Sequence, residues 1–283
     1  MEACLHPTLV DETTLVSYLD LARETGYRYV DVPFHWLEAE AERLGEAAVE
    51  ALFARRGLVL ANLGLPLNLY DSEPAFLREL SLLPDRARLC ARLGARSVTA
   101  FLWPSMDEEP VRYISQLARR IRQVAVEVMP FGMRVGLEYV GPHHLRHRRY
   151  PFVQSLADLK TFWEAIGAPN VGALVDSYHW YTAGEQEDDL ASLPPEKIVY
   201  VHINDTLDAP EDAHDARRLL PGDGRIPLVP FLRGLYRAGY RGPVAAEVLH
   251  EAPLAGTGEA RARQVRERLE QFFALAKGDV LDG

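Results

Sequence analysis

Four polar residues interrupt apolar runs in the second half of this 283-residue chain. Glu138 stands in RVGLEYV (134–140), Asp176 in VGALVDS (171–177), His202 in IVYVHIN (198–204) and Glu247 in PVAAEVL (243–249). Each comes late in its run. Three carboxylates and an imidazole that share a small space must take up protons or bind a cation, because like charges at close range oppose one another's ionisation. A mixed oxygen and nitrogen set suits Mn2+, Zn2+, Co2+ or Mg2+, so one divalent metal ion is the expected cofactor. With open positions left for water or substrate, such an ion would act as a Lewis acid. Taken singly, a strand-end carboxylate is ordinarily a helix cap or a surface ion pair. A lone histidine in an apolar strand is ordinarily a hydrogen-bonded core residue. Four such residues on four successive runs outweigh those readings as a set.

For the four to meet, their runs must be neighbouring strands that point the same way. RYVDVPF (28–34) reads as a strand followed by a helix over 37–57, and LVLANLGL (58–65) as a strand before a helix over 74–94. SVTAFLW (97–103) precedes a helical pattern over 108–129, and the four runs above continue the series. With MEACLHP as a frayed first strand, eight β-then-α units result. Uninterrupted apolar strands that alternate with helices imply a parallel sheet buried on both faces. Eight units in this length predict an α/β fold, a (β/α)8 TIM barrel forming one domain over 1–283, rather than an open doubly wound sheet. The GxGxxG fingerprint of a dinucleotide fold is absent, since PGDG (221–224) has neither its spacing nor a strand directly before it. In such a barrel, inward side chains near the C-terminal strand ends converge on one mouth, where catalysis takes place.

The bulk properties narrow the partners. Hydrophobic residues make up 48% and charged residues 25%, the balance of a globular enzyme. A formal net charge of −10 argues against general nucleic-acid binding, which draws on a basic face. No apolar run approaches the roughly 20 residues that span a bilayer. The start, MEACLHPTLVDE, lacks the basic and apolar regions of a signal peptide, so a cytoplasmic protein is expected. Cys4 and Cys90 are too few for a disulfide framework or a CxxC zinc site, and Cys90, beside Leu89 and Leu93, reads as packing. A small-molecule substrate is the expected partner, and a homo-oligomer remains open.

The motifs also carry a resemblance. VGLEYVG (135–141), NVGALVDSYHWYTAG (170–184), VHINDTLDAP (201–210) and RRLLPGDGRIPL (217–228) resemble the xylose isomerase-like TIM barrels, a superfamily of sugar isomerases and epimerases that includes endonuclease IV. Within it they are most similar to the inosose (2-keto-myo-inositol) isomerases of inositol catabolism. The resemblance spans nearly the whole chain and is strong from about 134 to 250. It implies that Glu138, Asp176, His202 and Glu247 hold the metal ion. It also implies that Glu138 and Glu247 are catalytic, shuttling a proton through a metal-stabilised cis-enediolate of a sugar or cyclitol. His179 matches a histidine that contacts substrate, and Arg218 an arginine that reaches substrate oxygens. Arg217 is the rival, since a shift of one residue exchanges the two. The chain departs from endonuclease IV: Asn62 and Trp103 lie where that enzyme has histidines, and Ala216-Arg217-Arg218 replaces its Asp-x-His. A single-metal site follows, and DNA repair is disfavoured. An acidic residue expected near Ala216 in the inosose isomerases is absent.

Other residues around the mouth have candidate roles. His6, His35, Trp36 and Trp103 lie near the ends of strands one, two and four, where aromatic rings could face the C–H side of a sugar. His6 and Trp103 are taken as substrate contacts. GPHHLRHRRY (141–150) reads as a solvated basic loop; His143 and His147 have i,i+4 spacing, and its arginines could clasp an anion. The segment 205–225 is long and polar enough to be a lid. The leading expectation is a metal-dependent isomerase or epimerase of a small polyhydroxy carbonyl compound. Two alternatives are a lyase of the same fold, an inosose or dehydroshikimate dehydratase, and a non-catalytic sugar-binding protein.

Overall fold

The computed structural model describes residues 1–281. Eight strand positions form a parallel barrel: β1 (Glu2–Leu5), β2 (Tyr29–Val30), β3 (Val59–Leu60 and Leu63–Gly64), β4 (Ser97–Leu102), β5 (Arg134–Tyr139), β6 (Val171–Asp176), β7 (Ile198–Ile203) and β8 (Pro243–Ala246). Neighbours pair in chain order, and β1 pairs with β8. The first segment of β3 pairs with β2 and its second with β4, so the interrupted third strand closes the ring. The fold is therefore the TIM barrel that the alternation predicts.

The strands read as continuous apolar runs because both faces are covered. One core cluster fills the layer between barrel and helices. A second, Cys4, Ala61, Leu174, Tyr200 and Ala245, fills the barrel interior and makes the floor of the site. The helices are α1 (Leu15–Glu24), α2 (Phe34–Leu44), α3 (Glu46–Arg56), α4 (Glu73–Arg92), α5 (Pro110–Val128), α6 (Leu156–Ile166), α7 (Ser177–Thr182), α8 (Glu187–Ala191), α9 (Leu228–Arg237) and α10 (Gly258–Leu281). The helix expected over 37–57 is two. It starts at Phe34, which places His35 and Trp36 on α2, and it breaks at Gly45, whose φ of 86° no helix accommodates. Cys90 is fully buried on α4, as packing requires.

Register sets the site. His202 on β7 lies opposite Asp176 on β6 and Ala245 on β8, and Glu138 on β5 lies opposite Leu174, two residues before Asp176. Glu247 comes two residues after Ala245. Offsets of two preserve the face, because side chains alternate with period two. All four polar residues thus point to one place above the inner core. Among the described residues, no helix is long and apolar enough to cross a membrane.

Candidate active site

Glu138, Asp176, His202 and Glu247 each bring one donor atom within 4.8 Å of the others. His202 turns Nδ1 to the carboxylates, 3.7 Å from Glu138 Oε1, 3.9 Å from Asp176 Oδ2 and 3.5 Å from Glu247 Oε2. These separations are too long for hydrogen bonds and short enough for one ion to bridge. His202 Nδ1 and Nε2 and Glu138 Oε1 are buried with no hydrogen-bond partner. Burying polar atoms unsatisfied is costly, so the vacant lone pairs of Nδ1 and Oε1 fit a divalent cation.

Arg218 supplies the only guanidinium in contact with these carboxylates among the described residues. It is 2% exposed, and its Nη1 donates to Asp176 Oδ2 at 3.0 Å and Glu247 Oε2 at 2.9 Å. Nη2 donates to Asp215 at 2.7 Å, and the plane lies 5.0 Å over the Tyr178 ring. Its neighbour Arg217 is exposed and pairs loosely with Glu251, away from the cluster. Burial raises the Glu138 carboxyl above its ordinary range. Burial also pushes Asp176 and Glu247 upward, but the Arg218 and His202 charges outweigh it and hold both below the usual range.

Two side chains missed by sequence reading stand beside this cluster, and the first of them holds it. Asn204 is fully buried, and its Nδ2 donates to Asp176 Oδ1 and Oδ2 at 3.1 and 3.2 Å and to the Glu247 carbonyl at 3.1 Å. Its own N–H donates to Ser177 Oγ at 2.9 Å, which ties β7 to the end of β6. Asp176 meanwhile caps α7 by accepting the Tyr178 N–H at 2.6 Å. Asp31 is the second. It is 6% exposed and accepts the Tyr200 hydroxyl at 2.9 Å on both oxygens, and burial pushes it up to about 7. It lies within the run RYVDVPF (28–34), an acid among apolar neighbours, and the strand itself ends before it at Val30.

The remaining predicted residues divide between two chambers at the mouth. His6 Nε2 lies 3.8 Å from Glu247, and burial pushes its imidazole down to about 4. It lines a polar cavity of about 480 Å3 with Asp31 and Asn62. Trp103 lines a more apolar cavity of about 570 Å3 with Leu65, Leu67, Tyr70 and Phe101. His202 and Glu247 border both. His179 Nδ1 accepts the Gly141 N–H at 3.4 Å, and its Nε2 lies 3.4 Å from the Arg218 Nη2 donor and 3.8 Å from Glu138. Trp36 instead packs its ring edge against Tyr18, 5.7 Å between centroids.

The flanking segments are more ordered than a free loop. Within 141–150 the one helical turn is a short 3-10 turn, His143–Leu145, and Tyr150 pairs with Met106 in a two-stranded sheet, so His143 and His147 do not share a helix face. Arg148 lies 5.2 Å over Trp103, and His144 stacks on His214 at 4.1 Å. The segment 205–225 is fastened rather than hinged. The Asp205 carboxylate accepts N–H groups from Thr206, Gly222, Gly224 and Ile226 at 2.8 to 3.0 Å. Gly224 is required there, since a Cβ would come 2.3 Å from Asp205 Oδ1.

Comparison with known proteins agrees with this geometry. The family model described as Xylose isomerase-like TIM barrel matches residues 19–272. A solved xylose isomerase domain protein from Alicyclobacillus acidocaldarius subsp. acidocaldarius is 91% identical, with a TM-score of 0.97 over 98% of this chain and 99% of that one. A crystal structure of the IOLI protein with a binding zinc atom superposes with a TM-score of 0.82 at 19% identity, covering 97% of this chain and 98% of that one. The inosose isomerase of Bacillus velezensis (strain DSM 23117 / BGSC 10A6 / LMG 26770 / FZB42) is 24% identical over 95% of this chain and 96% of its own. The ketose 3-epimerase of Arthrobacter globiformis is 24% identical over 82% of this chain and 77% of its own. A 3-dehydroshikimate dehydratase of Pseudomonas aeruginosa is 28% identical over 52% of this chain and 22% of its own.

Proposed function

The chain belongs to the xylose isomerase-like TIM barrel family, and from that premise we propose that it is a divalent-cation-dependent isomerase or epimerase of a small polyhydroxy carbonyl compound, an inosose or a ketose. The observation that carries this reading is the pair of unpartnered buried atoms, His202 Nδ1 and Glu138 Oε1, inside a ring of three carboxylates. Glu138, Asp176, His202 and Glu247 would hold the ion. When bound, it would polarise the substrate carbonyl, acidify the neighbouring C–H and offset the charge that develops on oxygen.

The protein's own groups account for the rest. Glu138 stands on β5 and Glu247 directly after β8, the outer two of four consecutive strands, and both border the 570 Å3 cavity. A carbon seated above His202 would have a carboxylate on either side to remove and return a proton. His179, whose Nε2 lies between Glu138 and Arg218, would face a substrate oxygen beside Glu138, and Arg218 would keep Asp176 and Glu247 in place. The cavity of leucines and aromatic rings would exclude water and accept the C–H face of a ring.

Solvent exchange tests the reading. Metal-loaded protein incubated with inosose, or with a ketose panel, in deuterated water should yield an isomer that carries deuterium next to the carbonyl. Glu247→Gln, assayed at saturating cation, should lose turnover; unchanged turnover there would remove Glu247 from the chemistry. A second reading, dehydration, follows from the dehydratase relative, since loss of water also starts with proton abstraction beside a carbonyl. It predicts an enone absorbance in place of the isomer.

A further inference from the structure

The polar chamber contains a buried carboxylate that the functional reading leaves unused. Asp31 follows β2, and among the described residues Tyr200 is the only donor to its oxygens. No cationic side chain pairs with it among those residues. One of its oxygens lies within 4.8 Å of a ring nitrogen of His6 and of His202.

Backbone donors fix the hydrogens that face it. The Thr8 N–H donates to His6 Nδ1 at 3.3 Å, so the His6 proton sits on Nε2. Thr8 Oγ1 accepts the Val248 N–H at 2.9 Å and lies 2.9 Å from the same Nδ1. His6 is therefore a donor at the chamber and has no lone pair to offer a second cation. His202 commits Nδ1 to the carboxylate ring, which leaves hydrogen on its buried, unpartnered Nε2. The chamber thus joins imidazole N–H donors to an acceptor-only carboxylate. A hydroxyl satisfies both, because it accepts and donates. A phosphate or carboxylate only accepts and would face the charges of Asp31 and Glu247. A methylene does neither, and it would leave Asp31 desolvated without a partner.

The geometry points to Asp31 as a specificity-determining residue: it accepts a hydrogen bond from a substrate hydroxyl on the carbon next to the reacting carbonyl, and His6 Nε2–H donates to the same oxygen. The position follows from the shared walls, since Glu247 and His202 border both the chamber and the cation cluster. The inference rests on the isomerase reading and deepens it by naming a feature the substrate must carry.

Calorimetric binding to metal-loaded protein at pH 8 tests it, with inosose and with a deoxyinosose lacking one hydroxyl beside the carbonyl as probes. Asp31→Ala should bind inosose roughly tenfold or more weakly than the wild type and bind the deoxy compound within about twofold of it. Asp31→Asn keeps an oxygen for Tyr200 and turns an NH2 group to the chamber, so it should lose the same discrimination even where the alanine variant does not fold. Cation affinity is titrated separately and substrate binding is read at saturating cation in both variants, which separates hydroxyl recognition from support of the metal site. Unchanged discrimination, or a loss of cation affinity that accounts for the weaker binding, overturns the role of Asp31 alone. A wild type that binds cation but neither inosose nor a ketose overturns the functional reading and this inference with it.

Discussion

Replacing Arg218 with methionine separates the two ways in which this cluster can be neutralised. The guanidinium is buried and donates to Asp176 Oδ2 and Glu247 Oε2, two of the four oxygen and nitrogen donors proposed for the cation. Without it, the carboxylates face one another with no guanidinium between them. Breaking one side of a buried ion pair costs about 3–5 kcal/mol. For a chain of this length that lowers the metal-free melting temperature by roughly 6–15 °C. A divalent ion neutralises the same oxygens, so saturating Mn2+ or Zn2+ should recover most of the loss. Removal of a positive charge also removes repulsion of the ion. At an effective dielectric constant near 20, a unit charge about 5 Å from a divalent ion costs several kcal/mol before relaxation. A fifth of that repulsion is already about tenfold in affinity, so Arg218→Met should bind cation about tenfold more tightly. Thermal melts with and without chelator and a calorimetric titration read both effects, with Arg218→Lys as the charge-conserving control. Equal destabilisation in both melts, or weaker cation binding, would refute the reasoning.

Two further substitutions probe the surroundings. Asn204→Ala removes three donated hydrogen bonds that hold Asp176 and Glu247, and should weaken cation affinity about 10–100-fold in a competition titration; an unchanged affinity would assign Asn204 to folding alone. Burial pushes Glu185 from 4.5 to about 7, although Tyr139 and the Leu156 N–H donate to it. The folded state therefore holds a proton that the unfolded state releases. The resulting stability is present below about pH 4.5 and is lost as the pH rises through about 7, up to about 3 kcal/mol. Glu185→Gln should flatten that slope in denaturant melts across the window; a slope equal to the wild type's would contradict it.

The sequence revealed most where the physics is repetitive. Two-sided burial makes a barrel strand read as an apolar run, so Glu138, Asp176, His202 and Glu247 stood out against their own strands. Their late positions on consecutive strands predicted a shared mouth, and the observed register brings them together. Asp31 escaped because β2 is only two residues long and its acid was read as part of the strand rather than its end. Asn204 escaped because an amide after a strand is ordinarily a turn residue, and only proximity shows it spanning two ligands. The break at Gly45 was hidden because its flanks, EAEAERL and EAAVEAL, both favour helix, and the positive φ is a property of the folded turn. The 205–225 segment looked mobile because its polar residues were counted as solvated, whereas one of them, Asp205, collects four backbone N–H groups.

That fastening has a consequence for how this mouth can change. Leu219 forms a two-way backbone bridge with Asp205, and Arg218 N–H donates to the Leu249 carbonyl beyond β8. The guanidinium is thus delivered by the loops after β7 and β8 acting as one part. Exchange of either loop alone with a relative would misplace Arg218 and leave Asp176 and Glu247 unopposed, even though neither carboxylate had been altered. Variation in substrate preference is easier at the 65–72 and 101–103 walls, which touch the cavity without carrying charge into the cluster. The barrel mouth therefore has one half that must be inherited together and one half that is open to piecemeal substitution.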